Sequence, residues 1–302
     1  SYTNEISTLA FNPDTASINV SSTVKVGHHP SWITFYPGDQ SLIFTCLEQS
    51  DGVIIALKFD EEGKGKIVAE IPSGGADPCT LFATNDTLYI GSGPDTSRQE
   101  SSHPHQVIII KEYGELLVPD LGVDVVRRFK TDGGTGLLAH LGDIAYAPGG
   151  GPRHVAFHGT VIVKHRFPLH PELPTFVKSV PTMSNPLPNG MLAAEVLIPT
   201  PNSAYPTPYL YLSNRNDPSS DGDIISIFAI SGPDTLDLVT EVRSGLKHLR
   251  GMLFGGPDDK WLVAGGGNGG GVKIFERIDG GKDLKVVAEN PNVESVTGFL
   301  WR

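Results

Sequence analysis

The sequence predicts an all-β chain folded as a seven-bladed β-propeller, and three observations predict it. Helical periodicity is almost absent, short β-rich runs alternate with Gly, Pro, Asp and Asn, and one marker segment recurs seven times. The expected architecture is a single domain over residues 1–302, its ring closed by N- and C-terminal strands that share one blade.

The runs come first. Ser31–Phe35, Leu42–Cys46, Val53–Phe59, Gln106–Ile110, Pro208–Ser213, Ile224–Ile230, Lys260–Ala264 and Gly271–Glu276 all read as strands. Many of the 35 glycines and 24 prolines fall between such runs, where turns are needed.

The marker is a Pro or Gly, one or two small or polar residues, and a short apolar strand. It appears at Pro30–Phe35, Pro78–Phe82, Pro104–Ile108 and Pro152–Phe157, with weaker copies at Leu192–Leu197, Leu249–Phe254 and Thr297–Trp301. Markers at 30, 78, 105, 153, 193, 250 and 298 are spaced by 48, 27, 48, 40, 57 and 48 residues. A four-stranded blade needs roughly 40–50 residues, so the step of 27 is too short. It predicts a segment omitted near 92/93, because a half-blade would expose an unpaired edge. The seventh marker ends close to Arg302, so the rest of its blade is expected from Glu5–Phe11 and Ile18–Val26, the strand before Glu5 being cut short at Ser1.

Composition bounds the function. A net charge of -11 argues against a general nucleic-acid surface. No apolar stretch approaches the roughly 18 residues of a membrane span. An anionic substrate would therefore need a local basic cluster. Cys46 and Cys79 both sit in apolar runs and read as two buried free thiols. No signal peptide is visible, so the cytoplasm is expected; were the protein secreted, Asn19 and Asn85 would head glycosylation triplets.

If the markers converge on one end of a central channel, the polar residues beside them converge too. Those are His103, His105, Arg153, His154 and Arg250, with Arg215 at the end of a second strand. Guanidinium groups pair bidentately with carboxylate or phosphate, and imidazole moves protons near neutral pH. Taken singly, each has a simpler reading: histidines held by carbonyls at a strand start, arginines clamping neighbouring blades. Their shared place in the repeat favours a site. His28-His29 precedes the first marker and reads equally well as a solvated turn. No Cys/His cluster has zinc spacing, so no metal is expected. The run Gly265–Gly271 contains the dinucleotide pattern but is followed by a strand, which leaves it as a flexible turn. There is no Gly-x-Ser-x-Gly elbow.

These motifs resemble the lactonase family of seven-bladed propellers, which includes propeller-type 6-phosphogluconolactonases and fungal 3-carboxy-cis,cis-muconate cyclases. The resemblance rests on Gly151–His158, Ser102–Gln106, Leu116–Gly122, Tyr211–Arg215, Leu249–Gly251 and Gly270–Arg277, in order along the chain, and its look is nearest the fungal branch. It implies His105, Arg153, His154, Arg215 and Arg250 as site residues; with His103 added from its place beside the third marker, His105, His154 and Arg153 are expected to be catalytic and His103, Arg215 and Arg250 substrate-binding. Two departures matter. Relatives often carry an Asn-Glu-Leu stretch on the strand after Pro-Arg-His, with the glutamate a catalytic candidate; here that strand reads Thr160–Arg166, without glutamate. Either catalysis has been lost, or a short stretch is omitted near 165/166. The second marker has Thr80 where relatives often have histidine.

The expectation is thus an enzyme that forms or opens a lactone on a small anionic substrate, without cofactor, nucleic acid or membrane partner. The alternative is a non-catalytic propeller that binds or scaffolds and has lost the family glutamate.

Overall fold

A computed structural model of the chain describes residues 3–93, 101–132, 137–158, 161–162, 165–166, 175–232 and 235–302. Its regular structure is almost entirely β. A hairpin of β1 (Glu5–Asn12) and β2 (Ser17–Lys25) comes first, then a four-stranded sheet of β3 (Pro30–Tyr36), β4 (Asp39–Leu47), β5 (Val53–Phe59) and β6 (Gly65–Pro72). Next are the pair β7 (Pro78–Ala83) and β8 (Leu88–Ser92), and a sheet of β9 (Ile108–Ile110), β10 (Glu115–Asp120), β11 (Val125–Thr131) and β12 (Leu138–Ala145). A small sheet of β13 (Phe157–His158), β14 (Val161–Ile162), β15 (His165–Arg166) and β16 (Thr175–Phe176) follows. Last come β17 (Leu192–Leu197), β18 (Tyr209–Arg215), β19 (Ile224–Gly232) and β20 (Thr235–Arg243), then β21 (Leu249–Gly255), β22 (Trp261–Gly266), β23 (Val272–Ile278) and β24 (Asp283–Asn290). Each four-stranded sheet is a meander of consecutive strands, which is how a propeller blade is built.

Burial follows position in the sheet. Inner strands are the most buried: β18 is buried at all but Leu212, and β19 over Ile224–Phe228. Fourth strands face water, as in β6, where Ile67, Val68 and Ile71 are exposed. Such edges carry Lys66 and Glu70, charges that discourage strand addition.

The chain forms two compact units: Ser1–Lys25, Asp60–Gly65 and Lys178–Arg302 make the first, Val26–Phe59 and Lys66–Val177 the second. In the first, one core gathers Tyr209, Tyr211, Ile225, Ile227, Leu262 and Phe275. A second core gathers Ile18, Val263, Val272 and Ile274, with Phe11 and Trp301 against it. In the second unit, Leu117, Val126, Ile144 and Val155 form one cluster, and Cys46, Ile54 and Leu81 another. Both cysteines are free and buried, as expected; burial pushes the Cys46 thiol up to about 12.

Three strand readings need correction. The fourth marker forms no strand over Pro152–Ala156, so Arg153 and His154 lie before β13. The stretch Thr160–Arg166, read as one strand, contains two that pair antiparallel, Val161 with Arg166 and Ile162 with His165; Thr160, Val163 and Lys164 lie outside the described residues. β-Branched residues favour extended backbone in either arrangement, and the pattern does not say where the chain folds back. The seventh marker, Thr297–Trp301, makes no ladder. It packs instead as irregular chain against β21, where a Cβ on Gly251 would lie 2.7 Å from the Thr297 carbonyl oxygen. The two chain ends meet there through side chains, with Phe11 6.3 Å from Trp301 and 5.3 Å from Trp261 between ring centroids. The short step of 27 falls on the two-stranded pair β7–β8; residues 94–100 lie outside the described residues.

Arg277, on β23 of the first unit, holds that core in place. It is 4% exposed, and its guanidinium carbon lies 3.8 Å from the Tyr205 ring centroid and 5.3 Å from that of Phe254. Its Nε donates to the Tyr211 hydroxyl (3.1 Å), which in turn donates to the Gly281 carbonyl (2.5 Å). Burial pushes the Tyr211 phenol up to about 12, so it remains a donor across the working pH range. Arg277→Met keeps the volume but removes the cation–π contact and the hydrogen bond, and should lower stability by about 2 kcal/mol. The urea midpoint reads this directly; an unchanged midpoint would mean that the aromatic cage does not depend on the charge.

Candidate functional site

The second unit brings four of the six predicted residues together. The segment His103-Pro104-His105 runs beside the end of β10: the His105 amide donates to the Pro119 carbonyl (2.9 Å) and the Leu121 amide to that of His103 (3.1 Å). Asp120, with no exposed surface, fixes the segment. One carboxylate oxygen accepts from the amides of His103 (2.7 Å) and Gly122 (3.2 Å). The other accepts from the Ser102 hydroxyl (2.6 Å) and Arg127 Nε (3.0 Å). The Cys79 thiol donates to the Pro104 carbonyl (3.0 Å) and lies 3.8 Å from His103 Nε2.

From this anchor a row of rings extends. Centroids of His103 and His105 are 5.7 Å apart, those of His105 and His154 5.3 Å, and those of His154 and Trp32 5.9 Å, the last pair nearly perpendicular. Arg153 Nη1 lies 3.1 Å from His154 Nε2. A guanidinium can only donate, so Nε2 is the acceptor and the neutral imidazole carries its proton on Nδ1. The approach of this pair is also built by side chains on backbone. The Asp124 carboxylate accepts from the amides of Gly149 (2.9 Å) and Gly151 (2.7 Å), and Gln106 Oε1 from that of Val155 (2.8 Å).

The first unit holds the other two. Arg215, buried at the end of β18, places Nη1 3.4 Å from His248 Nε2, and His248 Nδ1 lies 2.9 Å from Asn216 Oδ1. Arg250 lies on β21; its Nε is buried and has no hydrogen-bond partner among the described residues. Asp223, fully buried, sets the start of that strand by accepting from the Leu249 amide (2.8 Å). The expected common cluster is thus described as two groups, one in each unit.

Several contributors were not read from the sequence. Trp32, Asp120 and Gln106 enter the sequence reading only as members of strand or motif segments, and Asp124 and Asp223 do not enter it. His248 and Asn216 were not singled out at all. The available signal is an Asp or Asn at the end of a second strand, at 120 and 216, and an Asp immediately before the third, at 124 and 223. The glycine run is also not a flexible turn. The amides of Gly267 and Asn268 donate to the carbonyls of His248 and Lys247 (both 3.0 Å), and a Cβ on Gly266 would sit 1.9 Å from the Gly269 oxygen. Close backbone approach, rather than mobility, requires those glycines. His29 is held by the Glu48 carbonyl (3.3 Å), in keeping with its turn reading, and His28 is exposed. Thr80 is wholly buried. Among the described residues no group of three or more His, Cys, Asp or Glu side chains is placed to hold a metal ion, and no helix is long and apolar enough to cross a membrane.

Comparison with known proteins covers nearly the whole chain. The family described as lactonase, seven-bladed beta-propeller, matches residues 1–90 and 83–301. The "Probable 6-phosphogluconolactonase" of the fungus Arthroderma benhamiae is 25% identical over 322 residues, covering 90% of this chain and 79% of its own length. The 6-phosphogluconolactonase of Bacillus subtilis is 36% identical over 74 residues, 24% of this chain and 20% of its own. Among solved structures, the periplasmic gluconolactonase PpgL of Pseudomonas aeruginosa superposes with a TM-score of 0.76 at 17% identity, over 96% of this chain and 93% of that one. A Bacteroides fragilis protein reaches 0.78 at 22% identity, over 96% and 91%; at such identities these two speak for the fold alone. The chain belongs to the lactonase family of seven-bladed β-propellers.

Proposed function

We propose that this protein opens or closes a lactone ring on a small anionic substrate. The observation that carries the proposal is the Arg153–His154 pair: a guanidinium beside an imidazole nitrogen whose lone pair faces it (3.1 Å), at one end of a row of imidazoles. Arg153 and His103 would hold the carboxylate or phosphate, and His154 would move the proton, with His105 packed against it. In the hydrolytic direction Arg153 turns from His154 to the substrate's anionic group, the freed His154 Nε2 takes a proton from water, the water oxygen bonds to the lactone carbonyl carbon, and the ring C–O bond breaks. The departing alkoxide takes the proton back, leaving a hydroxy acid and an unchanged enzyme. The names borne by the relatives favour a phosphorylated sugar lactone over carboxymuconate. A second reading, a propeller that binds such acids without turning them over, is favoured by one observation: the stretch after Pro-Arg-His holds no glutamate.

Offering the purified protein 6-phosphogluconolactone, unphosphorylated gluconolactone and carboxymuconate separates the forms. Turnover of one of them is expected, falling at least about a hundredfold in His154→Ala and about tenfold in Arg153→Ala. Turnover equal in wild type and both variants would dismiss this site, and binding without turnover would favour the second reading.

A further inference from the structure

We propose that β6 is an interface between two copies of this chain, which join antiparallel through their β6 edges about a two-fold axis at Val68. The proposal rests on one strand of the second unit and is independent of whether a lactone is turned over.

β6 ends the sheet β3–β4–β5–β6, so among the described residues it is paired on one side only. Its outer side offers the N–H and C=O of every second residue to another strand. Lys66–Pro72 is exposed throughout, Val68 at 52% and Ile71 at 55%. The sequence of this edge is its own complement. In an antiparallel pair centred on Val68, Lys66 faces Glu70 of the second copy, Ile67 faces its Ala69, and Val68 faces Val68. Side chains alternate between the faces of a strand. One face of the pair therefore carries two facing valines between two Lys–Glu pairs, and the other carries the Ile67–Ala69 contacts. Opposite charges directly across an antiparallel pair stabilise it, and like charges oppose it. Moving the axis by one residue, to Ala69, puts Glu70 opposite Val68 and leaves Lys66 opposite Pro72. A parallel, in-register pair puts Lys66 on Lys66. Charges that turn away an arbitrary strand thus select one register with a second copy.

The same pattern recurs on β24, the last strand of its own sheet, where Lys285-Val286-Val287-Ala288-Glu289 parallels Lys66-Ile67-Val68-Ala69-Glu70. There it is already engaged within the chain. Glu289 pairs with Lys273 (3.1 Å), Ala288 is buried in a core with Ile18 of β2, and Asn290 Nδ2 donates to the Ile18 carbonyl (3.1 Å). On β6, Lys66 and Glu70 have no ion-pair partner among the described residues, and Ile67 and Val68 are exposed. An isologous contact supplies on β6 what β2 and Lys273 supply on β24, and it closes on itself after two copies.

The test is the association state of the intact chain, followed by sedimentation velocity from about 1 to about 300 μM. The wild type should pass from monomer to dimer and stop there, with amide exchange in Lys66–Ile71 slowing as the concentration rises. Lys66→Glu and Glu70→Lys each set like charges opposite one another twice in the pair, and each should weaken dimerisation at least about tenfold. Both positions are exposed, and circular dichroism checks that each variant is folded. Mixed in equal amounts, the two variants should form a heterodimer, because the reversed positions then face each other and so do the native ones. The double variant should dimerise as the wild type does. A wild type that stays monomeric throughout would leave the edge to a strand of another protein and overturn the proposal. So would a dimer that neither reversal weakens, assembly beyond the dimer, or reversals that neither mixing nor the double variant rescues.

Discussion

Glu115→Ala should lower the unfolding free energy by about 3–5 kcal/mol, enough to unfold much of a marginally stable chain at physiological temperature. Glu115 lies on β10 and Arg128 on β11, diagonal to each other across an antiparallel pair in which Glu115 faces Lys130 and Leu117 faces Arg128. Their side chains meet as a fork: Arg128 Nε to one carboxylate oxygen and Nη2 to the other, both at 2.9 Å. Glu115 is 1% and Arg128 3% exposed. Water screens such a pair little, so removing the carboxylate takes away the buried guanidinium's bidentate counter-charge. The attraction is not itself the source of the large effect, because desolvation offsets most of it. Replacing both residues together, as Glu115→Leu with Arg128→Met, should therefore recover most of the loss. Urea midpoints of the two singles and the double decide the matter. A Glu115→Ala midpoint close to wild type would show that the charge finds water or another partner.

The β architecture was legible because its signals are periodic. Val53–Phe59 was bounded from sequence as it stands in β5, and the marker segments that start at Pro30, Pro78, Leu192 and Leu249 begin strands there. Boundaries failed where the backbone is held by something other than a ladder. Arg153 and His154 sit before β13, because Asp124 and Gln106 take the nearby amides that a strand partner would have taken. A side chain that accepts from distant backbone amides has no spacing rule, so Asp120 in Leu117-Val118-Pro119-Asp120 looks like any turn aspartate. His103, His105, Arg153 and His154 share a place in the repeat, and within the second unit their side chains lie in one row. His248 has no such signal, because its side-chain contact is with an asparagine 32 residues earlier. The glycine run was misjudged for a related reason: composition distinguishes a loose turn from a tight one only when the backbone it must pass is known.

Asp120→Asn tests how far the candidate site depends on one buried carboxylate. The change preserves shape and removes charge, and it turns one acceptor oxygen into an NH2. If the NH2 replaces the oxygen facing His103 and Gly122, two backbone amides lose their acceptor and face a donor. If it replaces the other oxygen, the Ser102 hydroxyl can rotate to accept, but Arg127 loses both its Nε bond and its 3.0 Å ion pair. Neither orientation satisfies all the groups, and charge-assisted bonds in buried surroundings are the strong ones. The expected loss of stability is about 3 kcal/mol. The isolated bridge between Pro104 and Asp120 should loosen with it, carrying His103 and His105 out of the ring row. A displacement of about 1 Å is enough to lower turnover about a hundredfold where the reacting geometry depends on the moved groups. Turnover should therefore fall in Asp120→Asn even at temperatures where circular dichroism shows the chain fully folded. Arg127→Ala makes the comparison sharp. It removes a half-exposed partner of the same carboxylate but leaves the oxygen that holds His103, so it should lower stability modestly and leave the row in place. If both variants lose turnover equally, the carboxylate acts through Arg127. If Asp120→Asn alone loses it, the carboxylate acts through the histidine segment that it anchors.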